Sequence, residues 1–149
     1  MRIASSPVYV DTSALAKLYV AEAESRLLER ALIGRRDLLV SDLAVTELVS
    51  VLMRRTREGS IALKSATLIH RTLVQRLAVK MLHRVAVDGS IHRDAERLLM
   101  RFGERVALRA ADAMHLALAT RSGARSFVTF DRRLTTAVRV HGEFDLPTA

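Results

Sequence analysis

At 149 residues the chain is long enough to bury one core and short for two, so a single domain spanning residues 1–149 is expected. The absence of cysteine excludes disulfides, thiolate metal sites and a cysteine nucleophile, leaving carboxylate, hydroxyl or imidazole groups for any metal. Lys and Arg number 24 against 16 acids, and this formal charge of +8 favours polyanionic partners.

The first nine residues lack a signal-peptide core and no apolar run reaches the ~18 residues of a membrane span, so a cytoplasmic protein without membrane contact is expected. Residues 7–10 form a short apolar, β-prone run ending at Asp11, Thr12 and Ser13, which predicts a strand and then a capped helix. Residues 14–20 and 25–33 carry apolar side chains at helical spacing, with Gly34 as the stop. Residues 38–40 read as the second strand, and Ser41 with Asp42 opens a helix to about Arg57 that Gly59 ends. From Ser60 an amphipathic helix is expected, because Ala66, Ile69, Leu73 and Leu77 recur three or four residues apart. Residues 83–87 read as the third strand, with Ser90 capping a helix through Met100. Residues 109–120 are strongly helical, Gly123 stops them, and the β-prone run 126–129 leads to Asp131. Residues 143–146 read as a final edge strand. Strands alternating with helices predict an α/β fold: a mostly parallel sheet of four or five strands, helices on both faces, and a site beyond the strands' carboxyl ends.

Four acids stand out by position. Asp11 follows the first strand, so its carboxylate emerges at the strand exit, although Asp is also a favoured helix cap. Glu47 lies in the apolar helical stretch LAVTELVSVLM between Leu43 and Val51, where a carboxylate is costly unless it is paired, metal-bound or at a cleft edge. The plainer reading pairs it with Arg54 or Arg55. Asp112 sits inside LRAADAMHLALA, between Leu108 and Leu116, and Asp is a poor helix-interior residue. Its plainer reading is a salt bridge to Arg109, and His115 nearby reads first as a packed, hydrogen-bonded histidine. Asp131 leaves one strand and precedes a helix that it could cap. Carboxylates held together repel one another and are relieved by a cation, and hard oxygen donors suit Mg²⁺ or Mn²⁺.

At these residues the sequence resembles the PIN-domain family and, within it, the VapC-type toxins. The resemblance rests on VDTSALAKLY at 10–19, on residues 41–47, on ADAMHLALA at 111–119 and on VTFD at 128–131. It implies a Rossmann-like PIN fold and Mg²⁺- or Mn²⁺-dependent cleavage within single-stranded or structured RNA. Asp11, Glu47, Asp112 and Asp131 are then the catalytic and metal-ligating residues, with supporting polar roles for Ser13 and Thr129. A small antitoxin protein as partner and a homodimer are also implied.

Arg132 and Arg133 adjoin Asp131 and are the preferred phosphate contacts, since guanidinium binds phosphate bidentately. The alternatives are a PIN nuclease of RNA processing that is not a toxin, and a non-catalytic basic RNA-binding module. A haloacid-dehalogenase-type phosphatase wants an Asp where Ser13 stands, and a receiver domain wants paired acids near the first strand.

Overall fold

The computed structural model describes residues 1–148, and its element order follows from where apolar runs and breakers fall. Three buried residues make β1 (Val8–Val10), and α1 (Thr12–Tyr19) and α2 (Ser25–Leu32) follow. Next come β2 (Leu38–Ser41), the long α3 (Asp42–Arg57) and α4 (Leu63–Ala78), then β3 (His83–Val85) and α5 (Gly89–Phe102). The chain closes with α6 (Ala110–Arg121), β4 (Ser126–Val128) and α7 (Arg132–His141).

Strand alternation decides which helices cover which face. Side chains of a strand point to opposite faces in turn. Val8, Val10, Leu38, Val40 and Val128 enter one core with Leu15, Leu28, Leu48 and Leu73, from α1 to α4. Tyr9 and Phe127 point the other way, into a second core with Ile91, Leu116, Leu118 and Leu134, from α5 to α7. The result is the three-layer arrangement expected of parallel β-α-β units.

All strand pairs are parallel, in the order β3-β2-β1-β4. The chain moves outward from β1 through β2 to β3, then crosses to the opposite side of β1 to lay down β4. The order therefore reverses between β1 and β4, and a crevice forms outside their carboxyl ends. Tyr9 pairs with Phe127 and Val10 with Val128, which fixes Asp11 beside Thr129.

Four local expectations need correction. The tail makes no strand: Asp145 forms one parallel bridge with Ser126, and Phe144 packs on Phe127 at 5.6 Å and stacks on His141 at 5.2 Å. Two backbone bonds, the Phe127 N–H to the Asp145 carbonyl and the Asp145 N–H to the Arg125 carbonyl, hold it down together with the partly buried Phe144. Helix α4 starts at Leu63, with Ala62 as an N-cap that offers no side-chain bond, so Ser60 is not its start. Ser90 is not a cap either, because the Asp88 carboxylate accepts its backbone N–H at 2.8 Å, and carboxylates are strong cap acceptors. The third strand ends at Val85, two residues early: the Val87 N–H turns toward the Asp42 carboxylate at 3.4 Å, and Arg84 ion-pairs with that same group. The expected glycine helix stops do appear, as at Gly123, which follows α6 with φ of 71°.

Two stability outcomes follow. Leu118 is fully buried in the second core, so Leu118→Ala should cost about 2–5 kcal/mol in denaturant unfolding. The His141 side chain is buried with an unpartnered Nδ1, and burial holds its pKa below the ordinary value, against the pull of Glu143. The unfolded state then binds more protons between the folded pKa and about 6.5, so stability should fall as pH drops through that window. Unfolding midpoints at pH 7.5 and 5.5 should draw together in His141→Phe.

Candidate active site

The crevice at the β1–β4 switch is a cleft of about 580 Å³, and its wall carries Asp11, Glu47, Asp112 and Asp131 together. Residues up to 120 positions apart in the chain thus share one hollow. Each arrives by a different local device.

Asp11 is 2% exposed and does two things at once. Its Oδ1 caps α1 by accepting the Ala14 N–H at 2.9 Å, while its backbone N–H joins Val128 across the sheet. Ser13 Oγ donates to Oδ1 at 2.8 Å, and Thr129 Oγ1 donates to Oδ2 at 2.6 Å. Ser13 also accepts the Phe130 N–H at 2.7 Å, so the loop after β4 is stitched to the turn after β1. Burial raises the Asp11 pKa, against the lowering effect of nearby His115 and of these hydrogen bonds. An ion close to Asp11 would relieve that cost.

Glu47 points from α3 into the cleft with its side chain one-third exposed. Its partners are not Arg54 or Arg55. Thr12 donates to Oε2, and His115 Nε2 lies 2.9 Å from the same atom, while Arg55 pairs with Glu22. Burial works to raise the Glu47 pKa, but the hydrogen bonds from His115 and Thr12 outweigh it and the net shift is downward.

Asp112 stands in the first turn of α6, where its Oδ2 accepts the Arg109 N–H at 3.0 Å and the helix dipole favours its charge. It contacts the Arg109 backbone; no Asp112–Arg109 side-chain ion pair forms among the described residues. Its pKa is raised, first by burial and then by repulsion from Asp131, against the Arg109 bond. Asp131 itself is exposed and caps α7, accepting the N–H groups of Arg133 at 2.7 Å and Leu134 at 3.1 Å. It is both a cap and part of the cleft wall.

Sequence reasoning left the buried relay behind Glu47 unnoticed. Tyr9 Oη donates to Ser41 Oγ and lies 2.8 Å from His115 Nδ1, so Ser41, Tyr9, His115 and Glu47 form one chain from the core to the cleft. Burial pushes the Tyr9 phenol far above its ordinary pKa, so it stays a neutral hydroxyl. His115 is packed and hydrogen-bonded as expected, and its partner is the cleft carboxylate. Arg132 and Arg133 lie at the start of α7 and are not among the residues lining the cleft. Lys17, Arg54, Arg55 and Arg109 line it instead, with Lys17 tied to Glu22 and Glu24.

The donor set fits a hard divalent cation: carboxylate and hydroxyl oxygens, two of the acids with raised pKa values, and no sulfur. As the side chains stand, no three acids or histidines among the described residues are close enough together to enclose an ion. Asp131 is occupied in capping α7, and Glu47 in its bonds to Thr12 and His115.

A family model described as PIN domain matches residues 8–139, and the chain belongs to the PIN-domain family. Its relatives are of VapC type. It is 32% identical over 125 residues to Ribonuclease VapC3 of Pyrobaculum aerophilum, covering 84% of this chain and 89% of that protein. Among solved structures, VapC20 of Mycobacterium tuberculosis, described as a toxin that cleaves the sarcin-ricin loop, superposes with a TM-score of 0.69 at 22% identity, covering 87% of this chain and 94% of that one. PAE2754 of Pyrobaculum aerophilum superposes with a TM-score of 0.68 at 20% identity, over 95% of this chain and 89% of that one. These two likenesses establish the shared fold.

Removing the Tyr9 hydroxyl in Tyr9→Phe strands the buried His115 Nδ1 and leaves Ser41 Oγ with the Ala44 N–H alone. A loss of about 1–3 kcal/mol is expected in urea unfolding, and an unchanged midpoint would show the relay to be structurally idle.

Proposed function

We propose that this protein is a metal-dependent endoribonuclease and the toxin of a toxin–antitoxin pair, acting as one domain in the cytoplasm. The observation that carries this reading is the opening of Asp11, Glu47, Asp112 and Asp131 onto one cleft at the switch point of a PIN fold. The name of the VapC3 relative and the description of VapC20 support RNA as the substrate.

Asp11, Asp112 and Asp131, with Glu47, would hold Mg²⁺ or Mn²⁺. When bound, such an ion polarises a phosphodiester and makes water a better nucleophile at neutral pH. The protein's own groups do the rest. Ser13 and Thr129 fix the Asp11 carboxylate by donating to its two oxygens. Thr12 and His115 fix Glu47. Arg54 and Arg109 on the cleft wall balance the charge of the entering phosphates, and Arg132 and Arg133 on α7 take the neighbouring strand. With no Trp and few aromatic residues, RNA selection depends on shape and phosphate contacts more than on base stacking. The partner is a small antitoxin whose tail covers the cleft, and the toxin works as a homodimer.

Purified Asp11→Asn and Asp112→Asn should keep the fold by circular dichroism yet lose about 100-fold or more in cleavage of labelled RNA. Wild-type cleavage should require Mn²⁺ or Mg²⁺ and stop with EDTA. Cleavage unchanged in both variants would remove these residues from the chemistry, and binding without any metal-dependent cleavage would leave a basic RNA-binding module. Expression of the wild type should arrest growth unless the antitoxin is supplied.

A further inference from the structure

We propose that the outer face of α5 is a second RNA-binding surface, which grips the sugar-phosphate backbone of a structured RNA outside the cleft. The proposal rests on the ribonuclease reading above. Arg93, Arg97 and Arg101 are exposed and follow one another four residues apart on α5, which spaces them about 6 Å along the helix axis. That is the scale on which phosphates repeat along a strand. Arg105, just past the helix, continues the row.

Neutralisation on this face is incomplete. Arg97 and Arg121 share the single carboxylate of Asp94, at 2.9 and 2.6 Å. Among the described residues Arg93, Arg101 and Arg105 are in no ion pair at all, although Glu96 and Glu104 stand close in the chain. Like charges one helical turn apart destabilise a helix slightly, so the row works against α5 unless an anion lies along it.

Two of these cations are held ready. The guanidiniums of Arg101 and Arg105 both lie against the Phe102 ring, at 4.9 and 5.5 Å from its centroid. The aromatic contact orders them without cancelling their charge, which lowers the entropy lost when a phosphate binds. Beside the row, a hollow of about 390 Å³ between α5, α6 and α7 is lined by Arg97, Arg101, Thr120 and Arg121 together with the carboxylates of Asp94 and Glu143. It shares no lining residue with the acidic cleft.

The chemistry of the face selects backbone over bases. Guanidinium forks match phosphate oxygens. The exposed large apolar residue on α5 is Met100, and the face offers no exposed tyrosine or tryptophan on which a base could stack. A surface of this kind recognises a folded RNA by the path of its backbone. It would thereby favour long structured substrates over short oligonucleotides cut at the same cleft.

The test compares the wild type with the triple variant Arg93→Gln, Arg101→Gln, Arg105→Gln and with the charge-keeping triple lysine variant. Binding of a stem-containing RNA is measured across a salt series in the non-cleaving Asp112→Asn background. The glutamine variant should flatten the slope of log K against log salt by roughly 0.9 per lost phosphate contact, and the lysine variant should restore most of it. In the active enzyme, KM for the structured RNA should rise about tenfold with kcat unchanged, while kcat/KM for a short single-stranded RNA stays the same. An unchanged slope and KM would overturn the proposal. So would a change confined to oligomeric state or to capture of an acidic protein segment, which would assign the face to protein contact. If the wild type cuts no RNA of any length, the ribonuclease reading falls, and the salt series still decides the surface.

Discussion

A carboxylate at the end of the central strand, cut off from water, is the constraint around which the rest is arranged. Asp11 is 2% exposed, and an isolated anion so placed is costly. The fold offsets the cost with three donors from two segments: the Ser13 hydroxyl and the Ala14 N–H at the start of α1, and the Thr129 hydroxyl just after β4. Each donor in turn depends on something larger. Ala14 requires α1 to start where it does, and Thr129 requires β4 to lie against β1 in the observed register. The position of the helix, the pairing of the strands and the charge of the site are therefore one problem with one solution.

The same logic gives the cleft its electrostatic character. A protein with a formal charge of +8 gathers five carboxylates in one hollow, with Lys17, Arg54, Arg55 and Arg109 on the same wall and further cations on the outer helices. Polyanions are drawn toward the body by the overall charge, yet the interior of the cleft repels them. A divalent ion held by these carboxylates would make the hollow locally attractive to a phosphodiester, so an acidic pocket in a basic protein fits nuclease chemistry.

Much of this was legible in the sequence, for identifiable reasons. The strands are short, but β1 and β4 end in polar residues immediately after buried apolar runs, and that contrast marks a strand exit. Glu47 and Asp112 announce themselves because helices apolar on nearly every side do not tolerate charges without cause. The relay through Tyr9, Ser41 and His115 gives no such signal. A tyrosine in a strand and a histidine in a helix look like core residues, and only the parallel packing of β1 and β2 under α6 brings them together. The cations lining the cleft give no such signal either: Arg132 and Arg133 are neighbours of Asp131 in the chain, whereas Arg54 and Arg109 share the cleft wall with it only in the folded protein. Competition between nearby acceptors decided the small errors, as where Asp88 takes the capping role from Ser90.

The crossing that lays β4 beside β1 also sets when this protein comes into being as a working molecule. The bond from Thr129 to Asp11 spans 118 positions, so a growing polypeptide is able to make it only after β4 has been synthesised. A ribosome that has finished β3 and α5 holds a sheet open along β1, with Asp11 unsupported and both Asp112 and Asp131 still to come. The cleft therefore takes its shape in one late step, when β4 docks on β1 and joins two stretches more than a hundred positions apart.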